Sequence, residues 1–529
     1  MSVSKNIKQS NYWEKLEITP EDLQHLANYL FETEEPLTIS ELSKVLISYR
    51  QECIRKSEAA RAAEAGKVYQ PKNSYQLADK LRFPEFDDQI GIITDIRESN
   101  NPSMEAFKVA KVEFEDGSVR EFAIELASHA INKLDYTKKT SADESVDSII
   151  KDHGKLLNLK LRNALDDQTD LIRIGDTWFP RSLLIDINAG HLNLAEAILD
   201  SVSGGPMHIE ELMKQLELDK SPENSKLIAF SLNYALQEDP RFDEVGTTGQ
   251  FSWFLRRLEP EEVLKTPLYL VADDPKTIDQ ELPEQFFNLL YELDDELSFT
   301  NEEINEAEPA NSVSLTLSYP HWRAGSMPVT PSTNQVFPSA LESENVKITF
   351  IDEQSQSTIS AWLVRERNYL IGLREWYEEK NLIPGSVINI TATSDPGIMM
   401  ISPERKRTNK EWIKTVLVGA DGGLVFALLR QAIYAGFNER MAIAIPDYAG
   451  LDAVWNARKA KAPTLKADVM RMMTELSKLN NQRHVHFVDL YAAINVIRRT
   501  TPMDLLEVLT SSDDFFHVGD NYFHITEKS

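Results

Sequence analysis

The sequence is poor in the residues from which most metal and cofactor sites are built. Cys53 is the only cysteine among 529 residues, which excludes an internal disulfide and a cysteine-based zinc site. The ten histidines are scattered, and the closest pair, His484 and His486, has no companion at metal-ligand spacing. Gly422 and Gly423 stand alone, without the Gly-Lys-Ser or Gly-Lys-Thr of a phosphate-binding loop. We therefore expect neither a metal nor another cofactor.

Long apolar runs are also missing. No stretch approaches the ~20 consecutive apolar residues of a membrane-spanning helix, and residues 1–16 lack the apolar core of a signal peptide. These absences predict a soluble, cytoplasmic protein without a membrane partner. A chain of 529 residues is too long for one hydrophobic core, so we expect several domains.

Positive charge is scarce overall but unevenly distributed. The net charge of -28 opposes binding to nucleic acid. Residues 259–308 hold 16 acidic residues and two lysines, whereas residues 404–499 hold 16 basic residues and nine acidic ones. We interpret the acidic segment as a solvated linker, because like charges repel and extend a chain; a nucleic-acid mimic is the alternative. The basic segment is the candidate for contact with phosphate.

One local pattern recurs three times along the chain. In residues 223–257 a helix with one apolar face stops at Asp239-Pro240, and two short β runs follow, separated by Gly-Thr-Thr-Gly. Proline disfavours helical geometry at the preceding residue, and the turn joins the two runs as a hairpin. The same spacing of apolar, glycine and aromatic residues returns in residues 165–179 and 509–523. A helix followed by a hairpin is typical of a winged helix, so the sequence predicts three such modules.

The central and C-terminal copies resemble a known family. The central copy reads PMHIEELMKQL and then DPRFDEVGTTGQFSWFL, and the C-terminal copy ends in TPMDLLEVLTSSDDFFHVGDNYFHI. Both resemble the HARE-HTH winged helix, a family that includes the N-terminal domain of the RNA polymerase delta subunit and modules of chromatin and restriction proteins. The resemblance implies a winged-helix fold. It also implies a protein partner such as RNA polymerase or another nucleic-acid-processing complex.

Two further regions have the alternation of β-strands. Asp116-Gly117 marks a hairpin within a run of five short strands, and this run is similar to small Tudor or KOW barrels. The later β-rich region contains the arrangement FID…ISAWLV…YLIGLREWY…LIPGSVINI within residues 350–390, and this arrangement is similar to a DNA-binding pseudobarrel. The predicted fold is multi-domain α+β, with repeated winged-helix modules and two small β-barrel-like domains. The predicted domains are a helical N-terminal region (1–66), the small barrel (67–138), tandem winged helices (139–260), the acidic linker (261–312), the pseudobarrel-like domain (313–402), and a basic region with a C-terminal winged helix (403–529).

A metal-dependent nuclease is the enzymatic alternative. Asp447 follows an apolar strand, and Glu475 and Lys478 lie downstream. A nuclease of the PD-(D/E)xK type places its second acid and its lysine one residue apart on a strand, whereas two residues separate them here, within an apparent helix. A turn aspartate and a surface helix explain these residues more simply, so we predict no enzymatic activity.

The leading hypothesis is a non-enzymatic winged-helix protein that associates with DNA or RNA in transcription. Contact with phosphate needs clustered lysine and arginine. The residues that we predict to make this contact are Arg405, Lys406, Arg407, Lys410, Arg458, Lys459, Lys461, Arg498 and Arg499. The rival hypothesis is a protein-interaction scaffold, because the predicted third helices of the second and third modules are acidic and DNA would repel them.

Overall fold

The protein is a multi-sheet α+β protein that divides into two units, Met1–Leu184 and Ile185–Ser529. The structure is a computed structural model. It describes residues 12–86, 89–100, 106–133, 144–218, 224–279, 282–305, 308–340, 343–419, 422–460 and 463–526. Within these residues, no helix is both long and apolar enough to cross a bilayer.

In the first unit, the residues that the structure describes form three long helices, a three-stranded sheet and a five-stranded sheet. Its elements in chain order are α1 (Pro20–Thr33), β1 (Leu37–Thr38), α2 (Ile39–Ala65), β2 (Lys67–Val68), β3 (Lys80–Phe83), β4 (Gln89–Glu98), β5 (Lys108–Phe114), β6 (Val119–Ile124), α3 (Val146–Asp166), β7 (Leu171–Ile174) and β8 (Thr177–Pro180).

The three helices share one hydrophobic core with the β7–β8 hairpin. Trp13, Leu42, Leu161 and Trp178 belong to this core. β1 pairs antiparallel with β8, and α2 begins at a capping box in which Thr38 and Glu41 bond each other. The core crosses the domain boundaries predicted at residues 66 and 139, because α2 and α3 bury their apolar faces against each other.

The five-stranded sheet lies in sequence between α2 and α3. Its strand order is β2-β3-β4-β5-β6, and the predicted hairpin at Asp116-Gly117 joins β5 to β6. The sheet curls, because segments beyond its two edge strands meet: Leu126 N donates to Pro71 O at 2.8 Å, and Tyr69 Oη donates to Ala123 O at 2.6 Å. The result is a curled half-barrel around an aromatic core.

The described residues of the second unit form four sheets. Its elements in chain order are α4 (Ala189–Ser201), β9 (Met207–His208), α5 (Ile209–Gln215), α6 (Ser225–Gln237), β10 (Phe242–Glu244), β11 (Ser252–Leu255), α7 (Glu261–Leu264), α8 (Glu284–Glu292), α9 (Asn301–Asn305), β12 (Ser312–Thr316), α10 (Tyr319–Ala324), β13 (Ser326–Pro328), α11 (Pro331–Asn334), β14 (Asn345–Asp352), β15 (Thr358–Val364), β16 (Tyr369–Ile371), α12 (Arg374–Glu379), β17 (Val387–Ala392), β18 (Ile398–Pro403), β19 (Arg405–Val418), β20 (Leu424–Ala435), β21 (Ile443–Ala444), α13 (Tyr448–Ala460), α14 (Leu465–Ser477), β22 (Val485–His486), α15 (Phe487–Asn495), α16 (Pro502–Ser511), β23 (Phe515–Gly519) and β24 (Tyr522–Ile525).

The three regions with the repeated pattern have the same strand order. Each three-stranded sheet places the returning hairpin strand between the outgoing strand and a short strand from before the helices, giving β1-β8-β7, β9-β11-β10 and β22-β24-β23. The hairpins predicted within residues 242–255 and 515–523 are present as β10–β11 and β23–β24. The aromatic side chains Trp178, Trp253 and Phe523 on the returning strands are buried in their respective cores.

The β-rich region after residue 312 forms a seven-stranded mixed sheet. Its order is β12-β17-β18-β14-β15-β16-β13, and β14 and β18 are its parallel pair. Phe350, Leu363 and Ile390 are buried in its core. The long β19–β20 hairpin follows this sheet directly and carries the chain into the C-terminal core.

The acidic segment 261–312 is not the solvated linker that its composition predicted. Phe286, Leu289 and Leu290 of α8 join the main C-terminal core. Asp295 and Glu296 have side chains that are 1% and 3% exposed and pair with Arg499. Apolar residues on one face of α8 and a buried cation for the two carboxylates explain why this segment packs despite its net charge.

Candidate nucleic-acid interface

The first four predicted phosphate-binding residues lie at the start of the β19–β20 hairpin. The two strands pair antiparallel from the Val418–Leu424 end to the Arg405–Ala435 end. β21 pairs with the other side of β19 over two residues. No strand of the described chain pairs with the outer edge of β20. This edge therefore presents backbone N–H and C=O groups that the sheet does not use.

The outer half of the hairpin, residues 405–413 and 429–435, rests on the protein through one face. Ile413 and Ile433 pack there in an apolar cluster with Ala442 and Ala444. Side chains alternate along a strand, so the neighbours of these two isoleucines point to the opposite side. The outer half is thus a supported platform with one face in solvent.

The exposed face of this platform combines aromatic rings with cations. Trp412 is 66% exposed and Tyr434 is 50% exposed. Arg430 lies directly across from Trp412 in the strand register, and Lys410 precedes Trp412 by two residues on the same strand, with both basic side chains exposed. We call these four residues, together with Arg405 and Arg407, which are also exposed, the basic hairpin surface.

The described part of the chain supplies no carboxylate to the cations of the basic hairpin surface. Within the described residues, none of Arg405, Arg407, Lys410 and Arg430 makes an ion pair. Lys406 differs, because its Nζ lies 4.0 Å from the centre of the Phe437 ring and 3.4 Å from Glu411 Oε1. These four positive charges thus remain available along the outer half of the hairpin of an acidic protein.

The predicted residues near the C-terminal helices are differently placed. Arg458 pairs with Asp468, and Arg498 pairs with Asp468 at 3.1 Å and with Asp273 at 2.9 Å. The Lys459 side chain and Lys461 lie outside the described residues. The structure therefore brings Arg458 and Arg498 together, and it supplies each of them with a carboxylate.

Arg499 is the most buried of the predicted residues whose side chains the structure describes. Its side chain is 1% exposed and lies 2.7 Å from Asp295 Oδ2 and 2.9 Å from Glu296 Oε1. Burial alone would raise the pKa of Glu296, but Arg499 and His321 outweigh it and hold that pKa below its usual range. This cluster is an internal ion-pair network, and the two terminal nitrogens of its guanidinium are already paired with carboxylates.

A cavity of about 730 Å³ opens beside this network. Arg458, Arg498 and Arg499 line it together with Tyr269 and Trp455. The cavity walls thus bring together residues that are distant in sequence. Because the three arginines are paired, its positive charge is smaller than the residue count indicates.

Sequence reasoning missed Trp412, Arg430 and Tyr434. Their common signal is the strand register, which places Arg430 across from Trp412. Alternation along residues 405–413 would have placed Lys410 and Trp412 on one face. The partner strand could not be aligned with it from local pattern alone, because the register depends on the turn.

The residues of the nuclease alternative form ordinary local contacts. Asp447 Oδ1 accepts from Gly450 N at 2.8 Å in the first turn of α13. Lys478 Nζ and Glu475 Oε1 are 2.6 Å apart, at the end of α14. Among the described residues, no three His, Cys, Asp or Glu side chains are grouped so as to hold a metal ion.

Comparison with known proteins adds no family assignment. Neither a protein-family model nor a curated protein sequence matches the chain.

Proposed function

We propose that the protein binds nucleic acid through the basic hairpin surface. The observation that carries this proposal is the set of four exposed cations, Arg405, Arg407, Lys410 and Arg430, which make no ion pair within the described residues. Cations without a protein partner can neutralise phosphates and release the condensed counterions of a nucleic acid. The local charge therefore favours a polyanion although the net charge of -28 opposes one.

In this proposal the other domains of the protein have structural and protein-binding roles. We interpret the three regions of common strand order as winged-helix modules, as the resemblance to the HARE-HTH family implies. We interpret the five-stranded sheet as a Tudor- or KOW-like domain and the seven-stranded sheet as a pseudobarrel-like domain. The helix α16 contains Asp504 and Glu507 and no basic residue. Insertion of that helix into DNA is therefore electrostatically opposed. We propose that such modules contact proteins in a transcription-associated complex. We assign no catalytic role to the chain.

A salt series on the full chain tests the proposal. Binding to labelled DNA and RNA oligonucleotides should weaken steeply as salt rises, because counterion release governs phosphate contacts. The triple variant Arg405→Ala, Arg407→Ala, Lys410→Ala removes three contacts. The slope of log K against log salt should then fall by about 2 for a single strand.

A matched triple variant controls for net charge. Lys56, Lys276 and Lys466 have side chains that are 75%, 48% and 51% exposed, and none of them belongs to the β19–β20 hairpin. Replacing all three with alanine changes the net charge by the same amount and should leave binding unchanged. Absence of binding at low salt, or an equal loss in both triple variants, would refute the assignment of this surface.

A protein-interaction scaffold is the second candidate, and the open edge of β20 favours it. Val425, Leu428 and Leu429 on that strand are 50%, 44% and 39% exposed. An unpaired strand with apolar side chains can add a strand from a partner. Replacing Leu428 and Leu429 with glutamine separates the two candidates, because it removes the apolar contacts that favour strand addition and leaves the charge that drives a phosphate interaction unchanged.

A further inference from the structure

We infer that the ligand of the basic hairpin surface is single-stranded nucleic acid, an inference that rests on the proposed function and specifies its ligand. Its starting point is the pair of exposed rings, Trp412 and Tyr434. Within the described residues, neither ring stacks on another ring or lies under a cation. A tryptophan that is 66% exposed buries little of its large apolar surface in the protein.

Unpaired bases match these rings in chemistry. The face of every base can stack on an aromatic side chain, and proteins that bind single strands combine such rings with a basic groove that follows the backbone. In a duplex the base faces are occupied by neighbouring bases, and only base edges and phosphates remain accessible in the grooves. Trp412 and Tyr434 can therefore stack on the bases of a single strand, whereas a duplex leaves no base face accessible to them.

The geometry of the cations supports the same ligand. Arg430 lies opposite Trp412, and Lys410 follows the same face of β19, so positive charge flanks the ring on both strands. Tyr434 lies four residues beyond Arg430 on β20, which corresponds to roughly 13 Å along the strand. One extended oligonucleotide can thus place separate bases on the two rings while its phosphates meet the cations between them.

The support behind the hairpin disfavours a duplex. A two-stranded ribbon can enter the major groove of DNA when it projects from the protein. Here Ile413 and Ile433 hold the back of the outer half in an apolar cluster with Phe437 and Ala442. The end of β20 is held as well, because Gly436 N donates to Glu404 O at 2.9 Å. The surface is therefore a platform on which a strand lies, and it does not project as an insertable ribbon.

The test compares a labelled single strand with the duplex of the same sequence on the full-length protein. Oligonucleotides of about 12 nucleotides lie within the range of known single-strand sites. The single strand should bind more tightly. Trp412→Ala should weaken its binding by about 5- to 150-fold, the range for loss of one stacked base. The salt slope should remain unchanged, because no cation is removed, and Trp412→Phe should restore most of the affinity.

Phe31→Ala is the matched control, since Phe31 is 44% exposed and lies on α1 in the first unit. It should bind like the unmodified protein, and far-UV circular dichroism should show that all variants are folded. Equal affinity for duplex and single strand, with no loss in Trp412→Ala, would overturn the single-strand inference while phosphate binding stands. No binding to either oligonucleotide at low salt would instead refute the proposed function itself.

Discussion

Two groups of arginines in this protein differ in their exposure and in their ion pairing. The arginines of the basic hairpin surface are exposed and make no ion pair within the described residues. Arg458, Arg498 and Arg499 are paired with carboxylates, and Arg499 is buried. The difference shows that a cluster of basic residues becomes a candidate phosphate site only where the fold leaves its charges without partners. Clustering in sequence does not separate the two cases.

The largest expected effect is that of removing the buried guanidinium. Arg499→Met would leave the Asp295 and Glu296 carboxylates buried without their cation. Loss of one partner from a buried ion pair typically costs about 3–5 kcal/mol. Chemical denaturation followed by circular dichroism should show this loss. Arg407→Ala on the basic hairpin surface should change stability by less than about 0.5 kcal/mol; equal destabilisation by the two variants would contradict the comparison.

The second effect concerns a buried carboxylate without a buried cation beside it. Burial, followed by the neighbouring Asp243, raises the pKa of Glu259 to about 8. The folded protein therefore retains a proton that the unfolded chain has already released. The contribution of Glu259 to stability should be largest below the pKa of an unfolded glutamate and fall as pH rises toward 8, with a slope of at most about 1.4 kcal/mol per pH unit.

Glu259→Gln isolates this contribution, because the amide cannot titrate. Unfolding free energies measured between pH 6 and pH 8 should fall less steeply in the variant than in the unmodified protein. The direction is opposite to that expected at Glu296, where Arg499 and His321 outweigh burial and lower the pKa. A variant with the same pH slope as the unmodified protein would show that Glu259 is not the titrating group.

A smaller effect separates free from paired arginines on the surface. Arg430→Ala should lower the affinity for a single strand and reduce the salt slope by about 0.7, one phosphate contact. Arg257 is a matched control: its side chain is 52% exposed, but it lies 2.5 Å from Asp200. Arg257→Ala should leave both quantities unchanged in the same titration. Equal loss in the two variants would mean that net charge alone drives binding.

The smallest effect is expected at the rim of the arginine cluster. Asp273 is 81% exposed and pairs with Arg498 at 2.9 Å. Exposed ion pairs contribute about 0–1 kcal/mol, so Asp273→Ala should hardly change the thermal midpoint. A loss comparable to that of Arg499→Met would show that the whole cluster, and not its buried part, stabilises the fold.

Local features of the fold could be predicted from the sequence, and distant pairings could not. The hairpin turn at Gly117 depends on residues within a few positions of one another, so its pattern was sufficient. Arg499 meets Asp295 and Glu296 across about two hundred residues of sequence, and no local pattern indicates that contact. The same limit applies to Trp412 and Arg430, since their register becomes known only when the hairpin is paired.

The position of the five-stranded sheet has a consequence for synthesis of the chain. β1 and α2 precede that sheet in sequence, while α3 and β8, which complete their core, follow it. A nascent chain emerges from its N-terminus and its domains generally fold in that order. The apolar faces of the N-terminal helices therefore stay exposed until residue 180 has emerged and the core can form. The five-stranded sheet can fold before the helical core that surrounds it in sequence is complete. We therefore expect chaperone contact during translation to concentrate on α1 and α2.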